Sequence, residues 1–308
     1  MIQVEGLTKD YGPVRAVEDL SFRVRPGRVT GFLGPNGAGK STTMRMIVGL
    51  DAPTVGTARV DSRPYRELRR PLTVVGSLLD AKAVHPNRTA SNHLRWLAQS
   101  NGIAPRRAEE VLDLVGLSAV ANKKTGGFSL GMGQRLGLAA ALLGDPKILV
   151  LDEPGNGLDP EGIRWVRDLL KALAAEGRTV LISSHLLSEM ALTAEHLIVI
   201  GRGRLVADTT TAEFIREHSA STVVVRSERP GEFAEHLRRA GLSPVPGQGQ
   251  ALEVPDATTE QIGALAFTGG FQLQELSLRQ ASLEDAFMDS TGAAVQYQTR
   301  GPERTAGR

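Results

Sequence analysis

An apolar strand that passes into a helix through glycines leaves few choices for what the turn between them can do. Residues 34–42 have that form: Gly34, Pro35, Asn36, Gly37, Ala38, Gly39, Lys40, Ser41 and Thr42 follow the run VTGFL and lead into TTMRMIVGL. Glycines at 34, 37 and 39 allow backbone N–H groups to close around phosphate oxygens, while the helix that follows presents its positive end to the same point. Lys40 is placed to bridge the outer phosphates of a nucleotide, and Ser41 to ligate Mg²⁺. The whole run is therefore expected to contact a nucleotide. A Gly-rich turn that merely caps a helix is the competing reading, and the flanking strand and helix weigh against it.

A second acidic site follows the run KILVLDEP, where Asp152 leaves the strand end and Glu153 comes next. Asp152 is expected to hold the Mg²⁺ hydration shell, which leaves Glu153 to polarise the attacking water for in-line displacement at a γ-phosphate. The alternative for Asp152 is a strand-end aspartate that caps the next helix. His185 closes the run TVLISS. Taken alone, a histidine there either contacts the γ-phosphate and positions water, or is a satisfied structural imidazole. The remaining histidines show no metal-ligand spacing.

Composition narrows the partners. Length (308 residues) suits one large domain and a small one. With 41% hydrophobic and 23% charged residues, the chain has the usage of an ordinary globular protein, and wholesale disorder is not expected. A formal charge of +2 argues against broad electrostatic binding to nucleic acid or anionic lipid, so no nucleic-acid partner is expected. Cysteine is absent, which excludes disulfide scaffolds, thiolate zinc sites, iron-sulfur clusters and cysteine nucleophiles. No apolar run reaches the roughly 18 to 20 residues that span a bilayer, and MIQVEGLTKD carries charges where a signal peptide needs an apolar core. The expected setting is cytoplasmic, with membrane contact only through a partner.

Along the chain, Val17, Leu20, Phe22 and Val24 read as strand, Pro26-Gly27 as a turn, and 39–50, 89–101 and 105–116 as helical. Short aliphatic runs at 148–151, 179–183 and 197–200 alternate with helices, the pattern of parallel strands with crossover helices, hence an α/β core. After about residue 219 the texture becomes strand 221–226, helix 231–240, a Pro/Gly/Gln-rich turn, strand 251–254, helix 258–267 and strand 271–278. A small βαβαβ domain over 219–290 fits best. The tail at 291–308 lacks apolar periodicity and is expected to be disordered.

With these residues in place, the sequence resembles the ATP-binding-cassette (ABC) ATPase subunit family over about residues 1–218. Beyond GPNGAGKST, LVLDEP and SSH, it has FSLGMGQR before the acidic strand and GLDP after it, in the family's order. The resemblance implies an α/β fold of P-loop NTPase type, with a RecA-like core, an antiparallel β subdomain and a helical subdomain at about 85–140. The small C-terminal α+β domain would follow. It implies a homodimer of cassettes facing head to tail, each ATP lying between one copy's phosphate loop and the other copy's signature segment. By resemblance Ser129 and Gly131 donate to the γ-phosphate across that interface, and Asp159 of GLDP belongs to the same nucleotide site. The family's usual segment is Leu-Ser-Gly-Gly-Gln, where this chain has Phe128, Ser129, Leu130, Gly131 and Met132.

Tyr11 lies where the family stacks an aromatic ring on adenine; a plain loop tyrosine is the alternative. After the strand LTVVGSLL the family places a Gln that touches Mg²⁺, and this chain has Asp80, read either as a metal ligand or as a solvated loop carboxylate. SLEDAFMDSTG resembles the accessory domain of a bacterial subgroup that exports drugs and related compounds, with Ser282 as a helix N-cap. The function implied is an Mg²⁺-dependent ATPase subunit at the cytoplasmic face of the membrane, driving a separately encoded permease. A soluble ABC-type ATPase, or a nucleotide-dependent regulatory switch, is the alternative.

Overall fold

The computed structural model of the chain describes residues 1–81, 83–218, 222–279 and 282–291. Two compact units emerge, one built on Met1–Thr211 and the other on Ala212–Ser290. The division falls earlier than the expected boundary after residue 218. Nothing in TTTAEFIREH punctuates the chain with Gly or Pro, and the strand passes directly into a helix that groups with the second unit.

In chain order the first unit starts with β1 (Ile2–Tyr11), β2 (Val14–Val24), β3 (Arg28–Leu33), α1 (Lys40–Ile47), β4 (Val55–Val60) and β5 (Val75–Leu78). Three helices follow, α2 (Ala90–Ser100), α3 (Arg106–Leu114) and α4 (Leu130–Leu142). It ends with β6 (Ile148–Leu151), α5 (Pro160–Ala175), β7 (Thr179–Ser183), α6 (Leu187–Thr193), β8 (His196–Gly201) and β9 (Arg204–Thr210).

One sheet has the order β5-β6-β7-β3-β8-β9, parallel throughout except for the antiparallel β8–β9 pair. The strands ILVL, TVLIS and HLIVIG are buried at every position, as strands covered on both faces must be. Since β3, β5, β6 and β7 run the same way, their C-terminal ends open on one edge. That edge carries the 34–42 loop, the Asp80 loop, Asp152 and His185, and it is where open α/β sheets place ligands.

A second sheet, β2-β1-β4, is antiparallel. Val17 and Leu20 are both fully buried although an odd number of residues apart. Asp19, with φ of 46°, makes the bulge that allows this, and its N–H donates to Thr8 Oγ1 at 3.0 Å. Ile2, Val4, Leu20 and Phe22 from this sheet pack with Met44 and Ile47 of α1 and with Phe32, Val150, Leu181 and Ile198 of the parallel sheet. The core thus sits directly under the phosphate loop. Burying each large side chain there contributes about 1.5–3 kcal/mol, and Phe32→Ala would cost about 3–5 kcal/mol. Thr89 caps α2 by accepting from Asn92 N–H at 3.2 Å.

The second unit runs α7 (Thr211–His218), β10 (Thr222–Ser227), α8 (Pro230–Arg239), β11 (Val245–Pro246), β12 (Leu252–Pro255), α9 (Thr259–Gly269), β13 (Leu273–Arg279) and α10 (Leu283–Thr291). Its sheet, β11-β12-β10-β13, is antiparallel. Val223, Val225, Leu252 and Val254 form a core with Phe233 and Leu237 of α8 and Ile262 of α9. The edge strand β11 adds to the expected βαβαβ order. Two residues are too few to show alternation, and a proline is tolerated only at such an edge. Ser282 caps α10, accepting from Asp285 N–H at 3.1 Å. Thr291 closes that helix, and the remainder of the tail expected to be disordered lies outside the described residues.

Candidate active site

The phosphate loop is built where β3 ends. Gly39 has φ of 101°, and a Cβ there would stand 2.5 Å from the Ala16 carbonyl oxygen, so only glycine fits both the backbone and the space. Behind it α1 begins at Lys40 without a side-chain cap, leaving its first N–H groups directed at the loop. Lys40 Nζ folds back across the turn and donates to the carbonyls of Gly34 at 2.6 Å and Pro35 at 3.2 Å. Burial holds this ammonium below the ordinary lysine value, opposed by the carboxylates of Glu153 and Asp152.

Asp152 leaves β6 with its N–H bonded to Leu78 O at 2.7 Å, which ties it to the end of β5. Its Oδ2 accepts from Ser41 Oγ at 2.7 Å, and its Oδ1 accepts from Ser183 Oγ. A serine hydroxyl and a single carboxylate are hard oxygen donors suited to Mg²⁺, which is commonly held by one or two carboxylates together with substrate phosphates. Asp80 follows β5, whose Leu78 is paired with Leu151 of β6, so the loops bearing Asp80 and Asp152 leave neighbouring strand ends. Asp80 is exposed, and its carbonyl accepts from Ala83 N–H at 3.2 Å.

Glu153 adopts φ of 52°, a left-handed conformation that costs a residue with a Cβ about 1–2 kcal/mol. Its Oε2 lies 2.6 Å from His185 Nδ1. An ionised carboxylate only accepts, so Nδ1 carries the proton of that bond. His185 is thus brought to the acidic site rather than into the core, with 56% of its side chain exposed.

Tyr11 ends β1 and is 47% exposed. Its hydroxyl donates to Asp51 Oδ2 at 2.9 Å, and Asp51 also takes two bonds from Arg45 of α1, at 2.8 and 3.2 Å. Lys9 Nζ stands 4.9 Å from the ring centroid. Burial first, then Asp51, raises the phenol above its ordinary value, while a hydrogen bond with Thr42 works the other way. The ring is therefore anchored beside the phosphate loop.

Ser129, Gly131 and Asp159 are placed differently. Ser129 is the N-cap of α4 and accepts from Met132 N–H at 3.2 Å. A Cβ at Gly131 would meet Gly157 O at 2.8 Å, and Asp159 caps α5 by accepting from Gly162 N–H at 2.9 Å. Among the described residues, the hydrogen bonds of Ser129 and Asp159 go to their own helix starts and none reaches 34–42.

Two residues that sequence reasoning missed belong to this site. Ser183, the last residue of β7, accepts from Glu153 N–H at 3.0 Å while bonding Asp152. Gln134, buried on α4, donates from Nε2 to Glu153 O at 2.7 Å. The available signals were a hydroxyl ending an aliphatic strand and an amide within an apolar helix.

A phosphate loop at the end of β3, an acidic pair at the end of β6 and a histidine on the glutamate define a P-loop nucleotide hydrolase. Comparison with known proteins narrows the class. The ABC transporter family model matches residues 17–156, and a domain of unknown function matches 221–284. The chain is 36% identical over 296 residues to the ABC transporter ATP-binding protein YhcH of Bacillus subtilis, covering 95% of this chain and 96% of that one. It is 43% identical over 211 residues to the bacitracin transport ATP-binding protein BcrA of Bacillus licheniformis, covering 68% and 69%. The dimeric structure of MJ0796, a bacterial ABC transporter cassette, matches with a TM-score of 0.63 at 25% identity, over 68% of this chain and 99% of that one. The chain belongs to the ABC transporter family, as an ATP-hydrolysing, ATP-binding subunit coupled to transport. Among the described residues, no helix is long and apolar enough to cross a membrane.

Proposed function

We propose that two copies of this chain close head to tail over two ATP molecules, with Glu153 as the hydrolytic base, and drive a separately encoded membrane permease. The convergence of Lys40, the Ser41–Asp152 pair and the Glu153–His185 pair at one sheet edge carries this reading. The amides of 34–42 and Lys40 hold the phosphates, and Tyr11 stacks on adenine. Ser41 and Asp152, with Asp80 from the neighbouring loop, would hold Mg²⁺. When bound, that ion supplies positive charge against the phosphate oxygens. Glu153 takes a proton from the attacking water, and His185 orients its carboxylate through the Nδ1 bond.

Ser129 caps α4 and its side-chain bond stays within that helix start; by the family likeness Ser129 and Gly131 serve the opposite copy's γ-phosphate, with Asp159 in the same nucleotide site. The likeness to a dimeric cassette supports this arrangement. Attachment is peripheral, at the cytoplasmic face of the membrane through the permease, and the second unit is an accessory domain. Likeness to a bacitracin transport subunit supports a drug or other small molecule as the cargo, and the direction proposed is export. Light scattering of the Glu153→Gln chain tests the assembly: ATP should convert monomer to dimer. A chain that binds ATP and stays monomeric at every ATP concentration contradicts it.

A further inference from the structure

Glu153 is held through its backbone from two directions. Its φ of 52° lies where a side-chain-bearing residue stays only if its surroundings keep it there. Both of its peptide groups meet side chains from other elements, Ser183 Oγ on the N–H at 3.0 Å and Gln134 Nε2 on the carbonyl at 2.7 Å. Ser183 is fully buried, and its hydroxyl also donates to Asp152 Oδ1. One hydroxyl proton and two lone pairs allow both bonds at once. Gln134 is 4% exposed, on a helix whose other buried positions are Leu136, Leu138, Ala139, Ala141 and Leu142. A buried amide in such company is costly unless it is bonded, and Glu153 O accepts one of its protons.

We infer that Ser183 and Gln134 are positioning residues for hydrolysis, resting on the reading of Glu153 as the base. Ser183 fixes the Glu153 N–H and the Asp152 carboxylate together, so the metal-side and water-side acids share one anchor. Gln134 fixes the Glu153 carbonyl to α4, the helix that Ser129 caps. A shift of α4 therefore moves the base, and the helix that reaches across to the other copy's ATP sets the geometry of its own copy's hydrolysis. Displacing a reacting group by about 1 Å can cost about 100-fold in rate.

The test uses the full chain, following phosphate release, fluorescent ATP-analogue binding and amide hydrogen exchange. Ser183→Val and Gln134→Met should each lower kcat by about 10- to 100-fold with KM for ATP nearly unmoved. Ser183→Thr, which keeps the hydroxyl on a valine-shaped side chain, should recover most of the loss. In the Glu153→Gln background neither change should lower the residual rate further. The Glu153 amide should exchange faster in Ser183→Val, with the β6 and β7 amides unchanged. Equal losses in Ser183→Val and Ser183→Thr, or faster exchange throughout the sheet, would mean a purely structural role and overturn the inference. An inactive Glu153→Gln beside fully active Ser183→Val and Gln134→Met overturns positioning alone. A fully active Glu153→Gln removes the base assignment beneath it.

Discussion

Replacing Lys40 by methionine separates what this lysine does for the nucleotide from what it does for the fold. Nζ already donates to Gly34 O and Pro35 O at 2.6 and 3.2 Å, so the ammonium is held over the loop in which phosphates would lie. One charge-assisted hydrogen bond from it to a phosphate is worth about 1.5–3 kcal/mol, and ATP affinity should fall about 10- to 150-fold. Fold stability should respond differently. Two loop bonds are lost, but so is an ammonium that burial disfavours, and the two effects offset. Because the folded value is depressed, the folded state binds fewer protons between that value and the ordinary lysine value. Wild-type stability relative to Lys40→Met therefore rises with pH across that window. Titration with a fluorescent ATP analogue, alongside melts from neutral to alkaline pH, measures both. An affinity within about threefold of wild type would refute the placement of Lys40 on the phosphates, since one such bond alone exceeds that factor.

Gly39→Ala should destabilise the fold by at least about 1–3 kcal/mol, given φ of 101° and the 2.5 Å approach of Ala16 O; an unchanged denaturant midpoint would contradict it. Asp51→Asn should lower the Tyr11 phenol toward its ordinary value while burial keeps it raised, read by ultraviolet titration against Tyr11→Phe; an unmoved titration would detach Asp51 from the ring. Asp80→Asn should weaken the Mg²⁺ dependence of hydrolysis and Asp80→Gln should restore the family's pattern; an unmoved Mg²⁺ titration in both would show a solvated carboxylate.

The parts of the site legible in the sequence are those whose chemistry is contiguous. Residues 34–42 carry glycines, lysine and hydroxyls in one run, and Asp152-Glu153 end one apolar strand. His185 was ambiguous in sequence because its partner, Glu153, follows another strand, and only the fold brings the two side chains together. Ser183 and Gln134 gain their roles only when the ends of β6 and β7 and the side of α4 meet, which no local pattern encodes. In the fold, the buried parallel strands stand out because, apart from Arg28 and His196 at the starts of β3 and β8, their residues are apolar or small. By contrast β4 alternates in burial but turns Gly56 and Ala58 inward and exposes Val55, so its sequence hides that period, and the register shifts of β1 break its alternation. Ser129 and Gly131 are singled out by family likeness alone, since within one copy they only start a helix.

Phosphate release by the purified chain at saturating ATP and Mg²⁺, wild type against Glu153→Gln, tests the central claim most directly. Glutamine keeps the shape beside His185 but cannot take the water proton. Turnover should therefore fall about 100- to 10,000-fold while the ATP analogue binds as tightly as before. Turnover near the wild-type rate in Glu153→Gln would contradict the account.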